Sequence, residues 1–223
     1  MRLIPPRLEK WFSTLLDRVV PLLCCSFLRP NIVSGTGCFF HIAAGILLFR
    51  GYFFPAGVLI LLGGILDLLD GKLARLTRRD TAYGAVFDAT MDRAGELAMY
   101  LGIGGYFVVH RMVPGLIVTA LATAGSFMVS YVRARAESYN IPCGIGVLRR
   151  PDRILLIGLG ALTNALSLPI QKPVLALMPI ISVPHRLLPV PLIIALLIIA
   201  VLAPVTVAQR LRHVRRWQSL LLP

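Results

Sequence analysis

The sequence predicts an all-α, polytopic integral membrane protein with six transmembrane helices and an N-terminal interfacial amphipathic helix. Three observations predict it. The 223-residue chain is 57% hydrophobic, with a mean hydropathy of +0.80 and only 15% charged residues, which exceeds what a soluble core buries. Apolar segments of about 20–25 residues, each long enough to cross a hydrocarbon layer, account for most of the length. The basic residues are also unevenly distributed. Of 23 Lys and Arg, only Arg50, Arg111, Lys172 and Arg186 fall on one side of these segments. The other 19 fall on the two termini, two loops and the adjoining span ends. By the positive-inside rule both termini are cytoplasmic, in a multi-pass protein of the cell membrane. The formal charge of +13 is then explained by topology and by attraction to anionic headgroups, and no nucleic-acid partner is expected.

Residues 5–22 alternate apolar and charged groups at helical spacing. They suit a helix lying in the cytoplasmic interface with Trp11 as its anchor, or an amphipathic helix packed on the protein. The first 20 residues have no apolar h-region, so no cleavable signal peptide is expected. Pro30-Asn31 opens the first span, about 31–49, and Gly51 turns the chain. The second span, about 53–76, runs back and delivers Asp67, Asp70 and Arg75 near its cytoplasmic end. A polar loop, 77–83, leads to the third span, about 84–109, capped by His110 and Arg111. The fourth span, about 114–136, is followed by a loop, 138–149, rich in turn formers. The fifth starts at Arg150-Pro151, with proline at a well-tolerated first position, and continues to about 168. Residues 169–187 hold four prolines and no periodicity, which predicts an outer loop. The sixth span, about 188–208, exits into a basic segment. The organisation is thus an interfacial segment 1–30, a six-span domain 31–211 and a basic cytoplasmic tail 212–223. Cys24, Cys25, Cys38 and Cys143 make no metal-ligand spacing and read as small apolar residues.

Residues 67–92 carry the chemistry. They read Asp67-x-x-Asp70-Gly71-x-x-Ala74-Arg75, then eight residues, then Gly84-x-x-x-Asp88-x-x-x-Asp92. Four carboxylates at bilayer depth cost roughly 2.5–3.5 kcal/mol each on insertion scales, so buried partners must offset them. Intervals of three and four put Asp67 with Asp70, and Asp88 with Asp92, on one face of their helices. Two such faces turned together form a carboxylate cage, the usual ligand set for a hard divalent cation such as Mg²⁺.

This pattern of eight fixed positions in 26 residues resembles the signature of the CDP-alcohol phosphotransferases. The resemblance implies six spans, two bound Mg²⁺ ions (or Mn²⁺), a homodimer, and transfer of a substituted phosphate from a CDP-alcohol such as CDP-diacylglycerol to a hydroxyl, releasing CMP. It implies that Asp67, Asp70 and Asp88 hold the metals, and that Asp92 joins them while acting as general base. Nucleotide contacts would come from Asn31, Asp70, Gly71, Ala74, Arg75, Thr81, Gly84 and Asp88. Elementary chemistry agrees with these roles. Glycines at 71 and 84 let a nucleotide approach the backbone, and Arg75 lies one turn beyond Gly71, within reach of a phosphate oxygen. Pro30-Asn31-x-x-Ser34 is similar to an element at the first span of many members. Asn31 there either contacts substrate phosphate or caps the helix.

Segments outside the signature bear on the acceptor. Gly84 to Arg93 resembles the corresponding run of bacterial phosphatidylinositol phosphate synthases. Ser130-Tyr131-Val132-Arg133-Ala134-Arg135-Ala136-Glu137, Arg150-Pro151-Asp152-Arg153 and Thr206-Val207-Ala208-Gln209-Arg210 are similar to three further segments of that group. There the basic residues bind the phosphate of the inositol phosphate acceptor, which implies Arg133, Arg153 and Arg210 here. Two departures leave the acceptor open. Arg133 stands where that group has lysine, exchanging a point charge for a planar fork, and Arg149 stands where it usually has glutamate. A phosphorylated polyol is therefore expected, inositol phosphate first and glycerol phosphate as its rival. A cation transporter is the rival of another class. It would favour carboxylates spread along a path or broken helices at the midplane, whereas these cluster at one depth beside Arg75.

Overall fold

Long apolar runs punctuated by proline and glycine fold, in this computed structural model, into six α-helices: α1 Pro30–Phe49, α2 Phe53–Thr77, α3 Ala82–Val109, α4 Val113–Glu137, α5 Arg150–Ala176 and α6 Val190–Leu221. The structure describes residues 30–77, 81–176 and 188–221, with side chains over 32–69, 81–164 and 188–217. The amphipathic helix expected over 5–22 lies outside the described residues. Helix starts follow local chemistry. Thr81 caps α3 by accepting a hydrogen bond from the Gly84 N–H at 3.0 Å, and Pro114 lies in the first turn of α4. At the start of α5 the Asp152 carboxylate reaches back to accept the Arg149 N–H at 2.7 Å, half of a capping box.

Packing closes the six helices into a ring. α1 packs on α2 and α3, α2 on α5, α5 on α6, α6 on α4, and α4 on α3. Without a hydrophobic drive between helices in lipid, close approach rests on small residues. Gly45 of α1 touches Gly102 of α3, where a Cβ on Gly102 would lie 2.1 Å from the Gly45 carbonyl oxygen. Inside the ring a continuous core runs from Leu48, Phe53 and Ile60 through Met99, Ile103 and Phe107 to Leu196 and Ile199. Outward, Phe39, Ile46, Leu101, Ile117 and Val201 are exposed, as expected of a surface that meets acyl chains. This is a membrane protein. Among the described residues three helices are long and apolar enough to cross a bilayer, Ile32–Phe49, Val113–Glu137 and Val190–Trp217, and Phe53–Leu69 is a shorter apolar stretch. Charged residues such as Asp88, Asp92, Arg93 and Glu96 on α3 lower the hydropathy of the helix that carries the candidate chemistry.

Two boundaries differ from those expected. Residues 169–176, expected as loop, continue α5 to Ala176, since prolines are tolerated where neighbouring groups satisfy the freed carbonyls; the rest of that segment, 177–187, lies outside the described residues. The sixth helix does not stop near 208. It runs past Pro204 to Leu221, so the basic segment begins as its helical continuation.

Candidate active site

Two carboxylates of the signature, Asp67 and Asp92, face each other from two helices, and a third, Asp88, stands near them. α2 supplies Asp67, and α3 supplies Asp88 and Asp92 one turn apart. The Nη2 of Arg150, from the first turn of α5, stands 2.7 Å from Asp67 Oδ2 and 2.7 Å from Asp92 Oδ1. One cationic nitrogen at contact distance from both shows that the two carboxylates face a common point. Asp88 accepts a hydrogen bond from Ser34 of α1, which gives that serine of the Pro30-Asn31-x-x-Ser34 element a role. Gly37, one turn further along α1, makes room for Asp67, because a Cβ there would stand 2.6 Å from Asp67 Oδ1. Asp70, Gly71, Ala74 and Arg75 ride the last turns of α2, and Asn31 the first turn of α1, but their side chains lie outside the described residues. Among the described residues no group of three or more His, Cys, Asp or Glu is gathered to hold a metal ion. The expected four-carboxylate cage is therefore not closed by Asp67, Asp88 and Asp92 alone. Thr81 and Gly84 meet each other in the cap of α3.

Beside this cluster lies a cavity of about 170 Å³ lined by Arg93, Arg133, Arg149, Arg150, Arg153 and Arg210, together with Ser130. The three arginines singled out in the sequence are brought together, in three different states. Arg133 is exposed at the rim, its Nε 2.8 Å from Glu137 one turn on. Arg210 is buried, donating from Nε to the Ile145 carbonyl at 2.9 Å and from Nη1 to the Val129 carbonyl. It therefore braces α4 and the loop before α5 as well as facing the cavity. Arg153 is fully buried and forks onto Glu96 of α3, Nε to Oε1 at 2.7 Å and Nη2 to Oε2 at 2.9 Å. Its Nη2 also reaches Ser130 at 3.3 Å.

The loop 144–149 decides where these cations stand, and α6 holds it. Thr206 Oγ1 accepts the Leu148 N–H at 3.0 Å and Gln209 Oε1 accepts the Val147 N–H at 3.2 Å. With Arg210, the Thr206-Val207-Ala208-Gln209-Arg210 segment thus fixes the entry to α5, which delivers Arg149, Arg150 and Arg153. Just before that loop Cys143 is buried, and desolvation pushes its thiol pKa up. Sequence reasoning missed Glu96, Arg93 and the double engagement of Arg150. A signal for Glu96 was present, since residues 88, 92 and 96 continue one acidic stripe at intervals of four.

A polyanion site of fixed arginines abutting paired carboxylates suits a substrate carrying several phosphates. Comparison with known proteins gives the family. CDP-alcohol phosphatidyltransferase matches over residues 27–211. The chain belongs to this family. It is an enzyme, a CDP-alcohol phosphotransferase similar to phosphatidylinositol phosphate synthases. It is 33% identical over 166 residues to the archaetidylinositol phosphate synthase of Methanothermobacter thermautotrophicus, covering 74% of this chain and 78% of that one. It is 29% identical over 206 residues to the phosphatidylinositol phosphate synthase of Mycobacteroides abscessus, covering 92% and 85%. Among solved structures, the Mycobacterium tuberculosis phosphatidylinositol phosphate synthase with CDP-DAG bound superposes with a TM-score of 0.71 at 28% identity, covering 90% of this chain and 94% of that one. The same enzyme in complex with manganese and citrate gives 0.70 at 28% identity, covering 89% and 88%.

Proposed function

We propose that this enzyme transfers a phosphatidyl group from CDP-diacylglycerol to a hydroxyl of a phosphorylated polyol, inositol phosphate before others, releasing CMP in phospholipid biosynthesis. The observation that carries this reading is the arginine-lined cavity joined through Arg150 to the signature carboxylates. A cavity with six guanidinium groups suits an acceptor that bears phosphate, and the carboxylates at its edge suit the attacking hydroxyl. The names of the relatives, and the CDP-DAG bound by one of them, support the same donor and acceptor classes.

The carboxylates fit divalent cations. Asp67 and Asp92 already share one cationic nitrogen, and oxygen donors suit Mg²⁺, or the manganese found in a relative. Asp67, Asp70, Asp88 and Asp92 would hold two such ions. When bound, they neutralise the diphosphate and the charge growing on the departing CMP. The chain's own groups do the rest. Asn31, Asp70, Gly71, Ala74, Arg75, Thr81, Gly84 and Asp88 are the groups proposed around the nucleotide, and Arg133, Arg153 and Arg210 those proposed on the acceptor phosphate. The acceptor oxygen forms its bond to the β-phosphorus as the bond to the CMP oxygen breaks. The hydroxyl proton passes to the Asp92 carboxylate, which works mainly by positioning, with transfer late. All six helices span the inner membrane in this reading, with both termini and the site at the cytoplasmic side, in a homodimer whose donor enters laterally from the leaflet.

The test is CMP release by the purified protein with CDP-diacylglycerol and a panel of inositol phosphate, free inositol, glycerol phosphate and serine. Turnover with inositol phosphate well above that with free inositol is expected. Preference for free inositol or serine removes the phosphate-bearing acceptor, whereas preference for glycerol phosphate keeps it and changes the product.

A further inference from the structure

Arg153 and Glu96 form a fully buried pair in which the carboxylate grips one edge of the guanidinium. Both Nε and Nη2 donate to Glu96, at 2.7 and 2.9 Å, and both residues are 0% exposed. Nη1 is the third nitrogen of that planar group. It is buried with no hydrogen-bond partner, on a residue that lines the cavity. A buried donor without a partner is costly, and such groups mark sites completed by a ligand. An arginine side chain also has several rotatable bonds, and it loses that freedom once the fork is gripped in two places. Ser130, itself at the cavity, adds a third contact to Nη2 at 3.3 Å.

We infer that Glu96 is a positioning residue for the acceptor site: it orients Arg153 so that Nη1 is presented to an anionic group in the arginine-lined cavity. This rests on the reading of that cavity as the acceptor site. The pairing has a second consequence. Glu96 removes net positive charge beside the cavity, so a carboxylate serving only to neutralise Arg153 and one serving to aim it make opposite predictions. Removing a neutraliser leaves a freer cation and tightens the acceptor. Removing an aiming group lets the guanidinium rotate toward other buried acceptors and weakens it.

Steady-state CMP release by the full-length protein, with inositol phosphate and CDP-diacylglycerol varied in turn, decides between them. Glu96→Gln is expected to raise the acceptor KM about tenfold and leave the CDP-diacylglycerol KM unchanged. Glu96→Asp keeps the charge but withdraws it by one methylene. It retains the ion pair, which keeps the test open should Glu96→Gln fail to fold, and should raise the same KM by a smaller factor. In an Arg153→Ala background neither change at Glu96 should move the acceptor KM further, because the effect passes through Arg153. A lowered acceptor KM in either Glu96 variant overturns the inference, as does an equal rise in both substrates' KM values. If Arg153→Ala itself leaves the acceptor KM untouched, the reading of the cavity fails. If Arg153→Ala raises it and the Glu96 variants do not, only the positioning role fails.

Discussion

Asp67 of α2 and Asp92 of α3 share a single nitrogen, the Nη2 of Arg150, at 2.7 Å each. Twenty-five positions apart in the chain, they are held face to face by a cation that lines the arginine-rich cavity as well. A divalent ion held by these carboxylates would compete with this guanidinium for the same oxygens. Arg150→Gln should tighten Mn²⁺ binding about tenfold, the equivalent of ~1.4 kcal/mol, measured by the loss of the free-ion signal in electron paramagnetic resonance. The same variant should raise the acceptor KM, since the cavity loses one of its cations. Weaker Mn²⁺ binding would mean that Arg150 organises the carboxylates rather than competing for them.

The carboxylates should make activity depend on divalent metal. Excess EDTA is expected to abolish CMP release, and added Mg²⁺ or Mn²⁺ to restore it. Asp88→Asn keeps an oxygen for Ser34 to donate to but loses the charge, so Mn²⁺ affinity and turnover should fall together. Undiminished turnover in EDTA would leave the carboxylates as a structural ion-pair network only.

Arg133 and Arg210 should fail differently when truncated, although the sequence presents them alike. Arg133 stands exposed at the rim with Glu137 one turn away, and an exposed pair of this kind contributes little to stability. Arg133→Ala should leave the melting temperature unchanged while raising the acceptor KM about ten- to a hundredfold. Arg210→Ala removes the charged donor that ties the Ile145 carbonyl to the Val129 carbonyl of α4. Hydrogen bonds from a charged donor contribute about 1.5–3 kcal/mol each, so this variant should lose thermal stability along with acceptor binding. Equal melting temperatures for the two variants would deny Arg210 its bracing role.

Much of this was legible because a costly residue in an apolar sequence advertises itself. The four aspartates and their three- and four-residue intervals are visible without coordinates, and six helices follow from six apolar segments. The partners were not legible. Nothing in the interval between 96 and 153 tells that Glu96 meets Arg153, since α3 and α5 are not adjacent in the ring and touch through long side chains reaching across it. The helix ends also differ at Pro169, because proline is better tolerated in a membrane helix than in water, and beyond Ala208, where Gln, Arg and Leu are good helix formers. The basic segments read as acceptor ligands or as topology-setting flanks, whereas Arg210, Gln209 and Thr206 also hold a loop, a role that depends on backbone groups which leave no trace in a sequence.

That loop gives the last prediction. Gly146 sits at φ +129, where an L side chain is strained, and a Cβ there would lie 2.4 Å from the Thr206 methyl carbon. Gly146→Ala therefore displaces either the loop or Thr206, and with it the hydrogen bonds that the Leu148 and Val147 N–H groups donate to Thr206 and Gln209. The expected cost is about 1–3 kcal/mol in stability, seen as a lower melting temperature in detergent. The functional effect should be selective. Arg149, Arg150 and Arg153 all follow this loop directly, so the acceptor KM should rise, while the signature residues on α2 and α3 keep the CDP-diacylglycerol KM near its original value. A variant that melts early yet retains its acceptor KM would show that α5 holds its arginines without help from the loop.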